Sequence, residues 1–303
     1  MPRLTQSVEC DRGLHHIRAA DVAVVFALAC AFVYGLGDYA GGRGARFAPA
    51  ASVTATAQAV GMLVLVPGLL VISGTLTSRA LLVGALGGAF GETGLLLLYS
   101  ALARGAMSVV SPITAVMTAI VPVVAGWVIG ESLGSRQVGG VVVALVAIWL
   151  ISRGGADEGS APLHHSRPST RVLLMSLAAG VGFGLFVVAL DRAGDDAGLW
   201  PLLAARPVGT VLAGGYALFI GVSPWVGRSA WKLAVAAGGG DVLANIFAIL
   251  ATQRGKVAVA GLLISLYPTS TVLLSRLVDH EPITKSQVAG FGCAAAAVSL
   301  IAF

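Results

Sequence analysis

The chain has 303 residues, of which 57% are hydrophobic and only 11% charged, and its mean hydropathy is +0.90. A soluble protein of this size carries roughly twice that fraction of charge, so lipid is the expected solvent for most of its surface. The net charge of +5 includes no basic run dense enough for nucleic acid, and anionic headgroups are its natural partner.

Residues 1–20 read as a polar tail. Glu9, Asp11 and two histidines precede any apolar stretch, so no cleaved signal is expected and the first apolar span should be retained. Crossing the hydrocarbon takes about 20 apolar residues. Ten segments bounded by charges or Gly/Pro clusters are predicted to do so. The first five run over 22–40, 53–73, 80–101, 107–129 and 136–152. After a polar, Pro/Gly/Ser-rich linker at 153–170, the second five run over 171–190, 199–221, 231–251, 257–278 and 286–303. Small residues four apart, as in Gly84/Gly88, Gly87/Gly91 and Gly180/Gly184, suit helices that associate by close backbone approach in lipid. Cys10, Cys30 and Cys293 match no metal spacing and read as packing residues.

The chain repeats itself. A shift of 150 residues lays Arg104-Gly105 on Arg254-Gly255, Glu131 on Glu281, Gln137-Val138 on Gln287-Val288 and Gly140 on Gly290. A shift of 149 lays Tyr34-Gly35 on Phe183-Gly184. Five spans is an odd number, so the second copy should begin on the opposite side of the membrane from the first. The expected fold is therefore an all-α membrane protein, with ten transmembrane helices as two inverted five-helix repeats (21–152 and 171–303). That arrangement places a binding site near the midplane. Lys/Arg counts around the spans do not choose an orientation, but Arg3, Arg12 and Arg18 favour both termini in the cytoplasm of a plasma-membrane protein.

The segment from Tyr99 to Ser152 resembles the EamA family of the drug/metabolite transporter superfamily. It is similar to the second copy, RGKVAVAGLLISLYPTSTVLLSRLVDHEPITKSQVAGFGCAAAAVSLI, which has Pro268, Glu281 at a helix end, and Gln287-x-x-Gly290 opening the last helix. The resemblance implies a membrane transporter of a small metabolite, such as an amino acid or a drug-like solute. Two departures stand out: Thr118 occupies the place of Pro268, and Asp279-His280 precede the second glutamate.

Ionisable residues inside spans are costly, by a few kcal/mol at mid-helix on lenient scales, and each needs an account. Glu92 in the third span and Asp241 in the eighth lie on repeat-equivalent helices, one position apart under the shift. They are candidates for binding a proton, a cation or a substrate amine, or for clasping neighbouring helices. Asn245, one turn after Asp241, shares its face. Arg206 either pairs with these carboxylates, receives a substrate carboxylate, or snorkels to the interface. Asp38 is a candidate for lining a mouth of the pathway but reads better as a solvated helix end, and Arg276 reads as a snorkelling residue. Pro112, Pro122 and Pro268 interrupt the repeat-paired fourth and ninth spans and are candidates for cavity walls or for packing kinks. Glu131 and Glu281 end spans before short turns, where turn-fixing is expected, and Thr284-x-x-Gln287 has the form of a capping box.

No HExxH, P-loop or GxSxG is present, and neither a catalytic group, a metal site nor a cofactor is expected. The expected partners are a small-molecule substrate and the lipid bilayer, while self-association into a homo-oligomer stays open. Two rivals remain. An intramembrane aspartyl protease would use the two bare GxGD matches at Asp38 and Asp241, and needs carboxyls that share a proton. A non-transporting scaffold would fill its midplane with apolar side chains.

Overall fold

The computed structural model describes residues 3–45, 47–102, 107–153, 169–278 and 285–302, and every long regular element among them is an α-helix. In the first half these are α1 (Arg3–Gly44), α2 (Ala50–Val71), α3 (Ser78–Leu102), α4 (Met107–Val128) and α5 (Ser135–Arg153). The second half has α6 (Thr170–Arg192), a single 3₁₀ turn at Asp195–Ala197, α7 (Trp200–Phe219), α8 (Trp231–Thr252), α9 (Val257–Ile264), α10 (Pro268–Val278) and α11 (Lys285–Ala302).

Six of these contain stretches long and apolar enough to cross a bilayer: Asp21–Gly44, Ala50–Leu70, Ser78–Leu98, Thr170–Arg192, Trp200–Phe219 and Trp231–Thr252. The apolar cores of α4, α5 and α11 are shorter. Large apolar side chains point outward along the helices, among them Leu63, Leu70, Leu82, Val211 and Phe219. The buried side is dominated by alanine and glycine. Apolar outside and small inside is the pattern of helices solvated by lipid.

α1 runs without a break from Arg3 through the apolar stretch that begins at Asp21. The segment read as the ninth span is two helices, α9 and α10. Pro268 has no N–H to offer the carbonyl four residues back, and the backbone tightens ahead of it: Leu266 N bonds Leu263 O at 3.2 Å and Tyr267 N bonds Ile264 O at 3.1 Å. The Ser270 hydroxyl lies 2.9 Å from the Tyr267 carbonyl and 3.1 Å from the Ala31 carbonyl of α1, so its proton goes to one or the other.

The packing is the same when the halves are exchanged. α1 packs on α8 and on α9/α10, as α6 packs on α3 and α4. α2 meets α8 as α7 meets α3, while α2·α7, α4·α9 and α5·α11 pair across the centre. Close approaches fix the directions. Gly88 sits where a Cβ would lie 2.6 Å from Ala205 Cα, and Gly238 where one would lie 2.9 Å from the Ala57 carbonyl carbon. Only glycine allows these backbones to touch. Gly84 also abuts Pro201, so α3 and α7 run parallel, while Gly87 and Gly94 meet Ala189 and Ala179 of α6 in antiparallel order. On the other side, α1 and α8 are antiparallel: Phe26 stacks near Phe247 with centroids 6.0 Å apart, and Gly44 faces Leu233.

Candidate functional site

Seven helices, α1, α2, α3, α4, α6, α7 and α8, together with the α9–α10 break, surround a central cavity of about 120 Å³, measured as the space open to the centre of a water molecule. A chain of polar side chains crosses its floor. Gln58 Nε2 on α2 donates to Glu92 Oε2 on α3 at 2.5 Å, and Gln58 Oε1 accepts from Arg206 Nη1 on α7 at 2.5 Å. Arg206 Nη1 also donates to Asp241 Oδ2 on α8, forming an ion pair. The amide of Gln58 is suited to this place because it offers a donor to the carboxylate and an acceptor to the guanidinium.

Burial gives the chain its significance. Glu92 is 1% exposed and Arg206 is 4% exposed, whereas the Asp241 side chain is 38% exposed, into the cavity. Among the described residues, two buried atoms in the chain, Glu92 Oε1 and Arg206 Nε, have no hydrogen-bond partner. A buried polar atom left unpartnered costs about 1–3 kcal/mol and calls for an explanation. Beside the chain, Tyr34 of α1 donates its hydroxyl to Asn245 Oδ1 at 2.6 Å, and Asn245 Nδ2 donates to the Asp241 carbonyl at 2.8 Å.

The contacts of the two halves point to a repeat match that the shifts of 149 and 150 overlook. Ala57-Gln58-x-Val60-Gly61 matches Ala205-Arg206-x-Val208-Gly209 at a shift of 148. Gly61 abuts Val242, and its counterpart Gly209 abuts Glu92 and Gln58. Gln58 and Arg206 are therefore equivalent positions bonded to each other across the centre, and Glu92 is the equivalent of Val242.

Of the residues singled out in the sequence, Glu92, Arg206, Asp241 and Asn245 all line this cavity. Pro268 lies at the helix break, whose flanking residues Ile264 and Tyr267 line it too. Pro122 is placed elsewhere: it is buried against Gly261 of α9, within an unbroken α4. Pro112 falls inside α4, with its side chain outside the described set. The side chain of Arg276 is likewise outside it, and Glu281 and Thr284 lie outside the described residues.

Glu131 lies away from the cavity. The α4 helix ends in a Schellman turn, with Gly130 at φ +90°, Gly130 N on Trp127 O at 3.1 Å and Glu131 N on Gly126 O at 2.9 Å. The Glu131 carboxylate then accepts from Val257 N (2.9 Å) and Ala258 N (3.2 Å), the first free amides of α9. A first-half glutamate thus caps a second-half helix, where anions are favoured. Lys256 Nζ completes the clasp by donating to the Ser132 carbonyl.

Sequence reasoning missed Gln58, Tyr34, Tyr267 and Thr118 as lining residues, and took Asp38 for a solvated end. Uncharged polar residues are common in spans and carry no signal alone; the 148-residue match was the one available for Gln58. A second, smaller cavity of about 60 Å³ shares Tyr34, Asp38, Gln58 and Asp241 and continues to Gly41, Val53 and Thr54, at the α1–α2 turn. Among the described residues no three His, Cys, Asp or Glu side chains converge as a metal ion requires.

The comparisons with known proteins agree with this architecture. One solved structure, described only as "Crystal structure of protein", superposes with a TM-score of 0.75 over 92% of this chain and 95% of its own, at 18% identity. At that identity the likeness shows the fold alone. No functionally curated protein matches the chain. The EamA-like transporter family matches over residues 21–153 and again over 170–303, nearly the whole chain in two copies. The protein is therefore a multi-pass membrane protein that belongs to the EamA-like transporter family.

Proposed function

We propose that this protein is a secondary transporter that carries a small metabolite, such as an amino acid or a drug-like solute, by alternating access. Its ten spans would form two inverted five-helix repeats, 21–152 and 171–303, joined by the linker at 153–170. The solute and any coupling ion would be held in the central cavity by Glu92, Asp241, Arg206 and Asn245, with Gln58 joining the halves. The observation that carries this reading is the Glu92–Gln58–Arg206–Asp241 chain along the central cavity, with buried polar atoms of Glu92 and Arg206 that have no partner among the described residues. Polar groups at this depth are expensive and mark solute or ion pathways.

The smaller cavity supports a direction of opening, towards the α1–α2 turn. With both termini in the cytoplasm of a plasma-membrane protein, that face is external and this conformation faces outward. The scaffold reading is weakened because a cavity lined by Asp38, Glu92, Arg206 and Asp241 stands where an apolar filling would be needed. The protease reading is weakened because the Asp241 carboxylate is paired with Arg206, whereas that chemistry needs two carboxyls paired with each other.

Flux in proteoliposomes tests the proposal. Glu92→Gln and Asp241→Asn are each expected to lower solute flux at least about tenfold, equivalent to about 1.4 kcal/mol, with normal size-exclusion profiles. Wild-type rates in both variants would remove the site, while leaving the fold intact.

A further inference from the structure

The lining of the central cavity contains three carboxylates, Asp38, Glu92 and Asp241, and a single cation, Arg206. Arg206 is already engaged by Asp241 and Gln58, so the lining has two acidic groups more than it has cations. In a low-dielectric interior such an excess is relieved by an arriving cation or by a proton taken up on a carboxylate. Glu92 Oε1 is a buried acceptor with no donor among the described residues.

The acidic groups are spread over α1, α3 and α8, and no three of them converge as a bare metal ion would require. The α6 part of the lining is apolar and aromatic: Phe183, Phe186 and Val187. Part of the lining therefore calls for a positive charge and part for hydrocarbon or an aromatic ring, which is also able to meet a cation through its face.

We infer that the solute is an organic monocation with an apolar body about one ring in size, its ammonium among Asp38, Glu92 and Asp241 and its body against Phe183, Phe186 and Val187. This rests on the central cavity being the solute site of the transporter proposed above.

Equilibrium binding to the purified full-length protein tests the inference separately from flux. The probes are phenethylamine, methylamine, hydrocinnamate and phenylalanine, read by calorimetry or thermal shift. Phenethylamine is expected to bind, and each of the other three at least about tenfold more weakly. Methylamine lacks the body, hydrocinnamate reverses the charge, and phenylalanine brings a carboxylate into an acidic site. Asp38→Asn and Glu92→Gln should each weaken phenethylamine about tenfold or more. The inference is overturned if hydrocinnamate, phenylalanine or methylamine matches phenethylamine, if phenethylamine fails to bind at millimolar concentration, or if both variants bind it unchanged. The wild-type ranking decides even where a variant does not fold. Binding of the amine without its transport would uphold the solute class and defeat the transporter reading.

Discussion

The corner of the cavity between α1 and α8 and the corner between α6 and α3 occupy equivalent places in the two halves, and Glu92 of α3 lies at the second, yet at four matching positions their chemistry is opposite. The first presents Tyr34, Asp38, Asp241 and Asn245; the second, at the matching positions, presents Phe183, Val187, Gly91 and Leu95. Both pairs of helices are antiparallel, and both are crossed by a helix docked on a glycine, Gly238 against Ala57 and Gly88 against Ala205. Duplication thus accounts for the shape of the cavity, and divergence within that shape accounts for its polarity. A symmetric cavity would offer a solute two equal ends; this one distinguishes head from body.

That comparison has a shared part and a divergent part, and each can be tested. If the shape is shared, Gly88→Val and Gly238→Val should be about equally damaging. Each forces side-chain atoms into backbone, and overpacking costs about 1–3 kcal/mol or more. Lower yield and a reduced unfolding temperature of both variants in detergent are the expected results. A tolerant Gly238 beside an intolerant Gly88 would break the equivalence.

If the chemistry lies in the divergent part, Asn245→Leu, which installs the residue found at the matching position in the other corner, should cost about 1 kcal/mol through the lost Tyr34 bond. Its larger effect should be on transport. Flux measured in proteoliposomes should drop several-fold while the matching change on the apolar side, Leu95→Ala, lowers affinity and leaves the maximal rate nearly unaltered. Equal effects at the two corners would erase the distinction.

The smallest effect is expected at the clasp between the halves. Glu131→Gln keeps one acceptor for the α9 amides but removes the charge that favours the helix N-terminus, worth about 0.3–1 kcal/mol near a surface. A small drop in unfolding temperature is expected, with solute affinity unaltered. A change in affinity would show that the clasp reaches the cavity.

Much of this was legible before the fold. Glu92, Arg206 and Asp241 stand out because a charge within a run of apolar residues has no cheap place in lipid. Asn245 followed from Asp241 by helical spacing alone. Glu131 was rightly separated from the cavity as a helix-end residue, though its partner was not a neighbour in its own turn but the start of α9. Asp38 was misjudged because distance from a span's centre was taken as distance from the site; α1 and α8 cross so that its side chain reaches the same cavity as Asp241. Pro268 and Pro122 looked alike in sequence. Only the first divides a helix; the second fills the groove at Gly261.

Composition and repetition by themselves determined that the chain is helical, lives in lipid and consists of two related halves, because these properties depend on averages and periodicities along the chain. Tertiary structure alone decided that Gln58 and Arg206 meet across the centre and that Glu92 keeps one oxygen unpartnered. It also decided that Asp38, Glu92 and Asp241 line the same cavity as Phe183 and Phe186. Those are relations between residues on different helices, set by which helices cross at which glycines, and no local pattern encodes them.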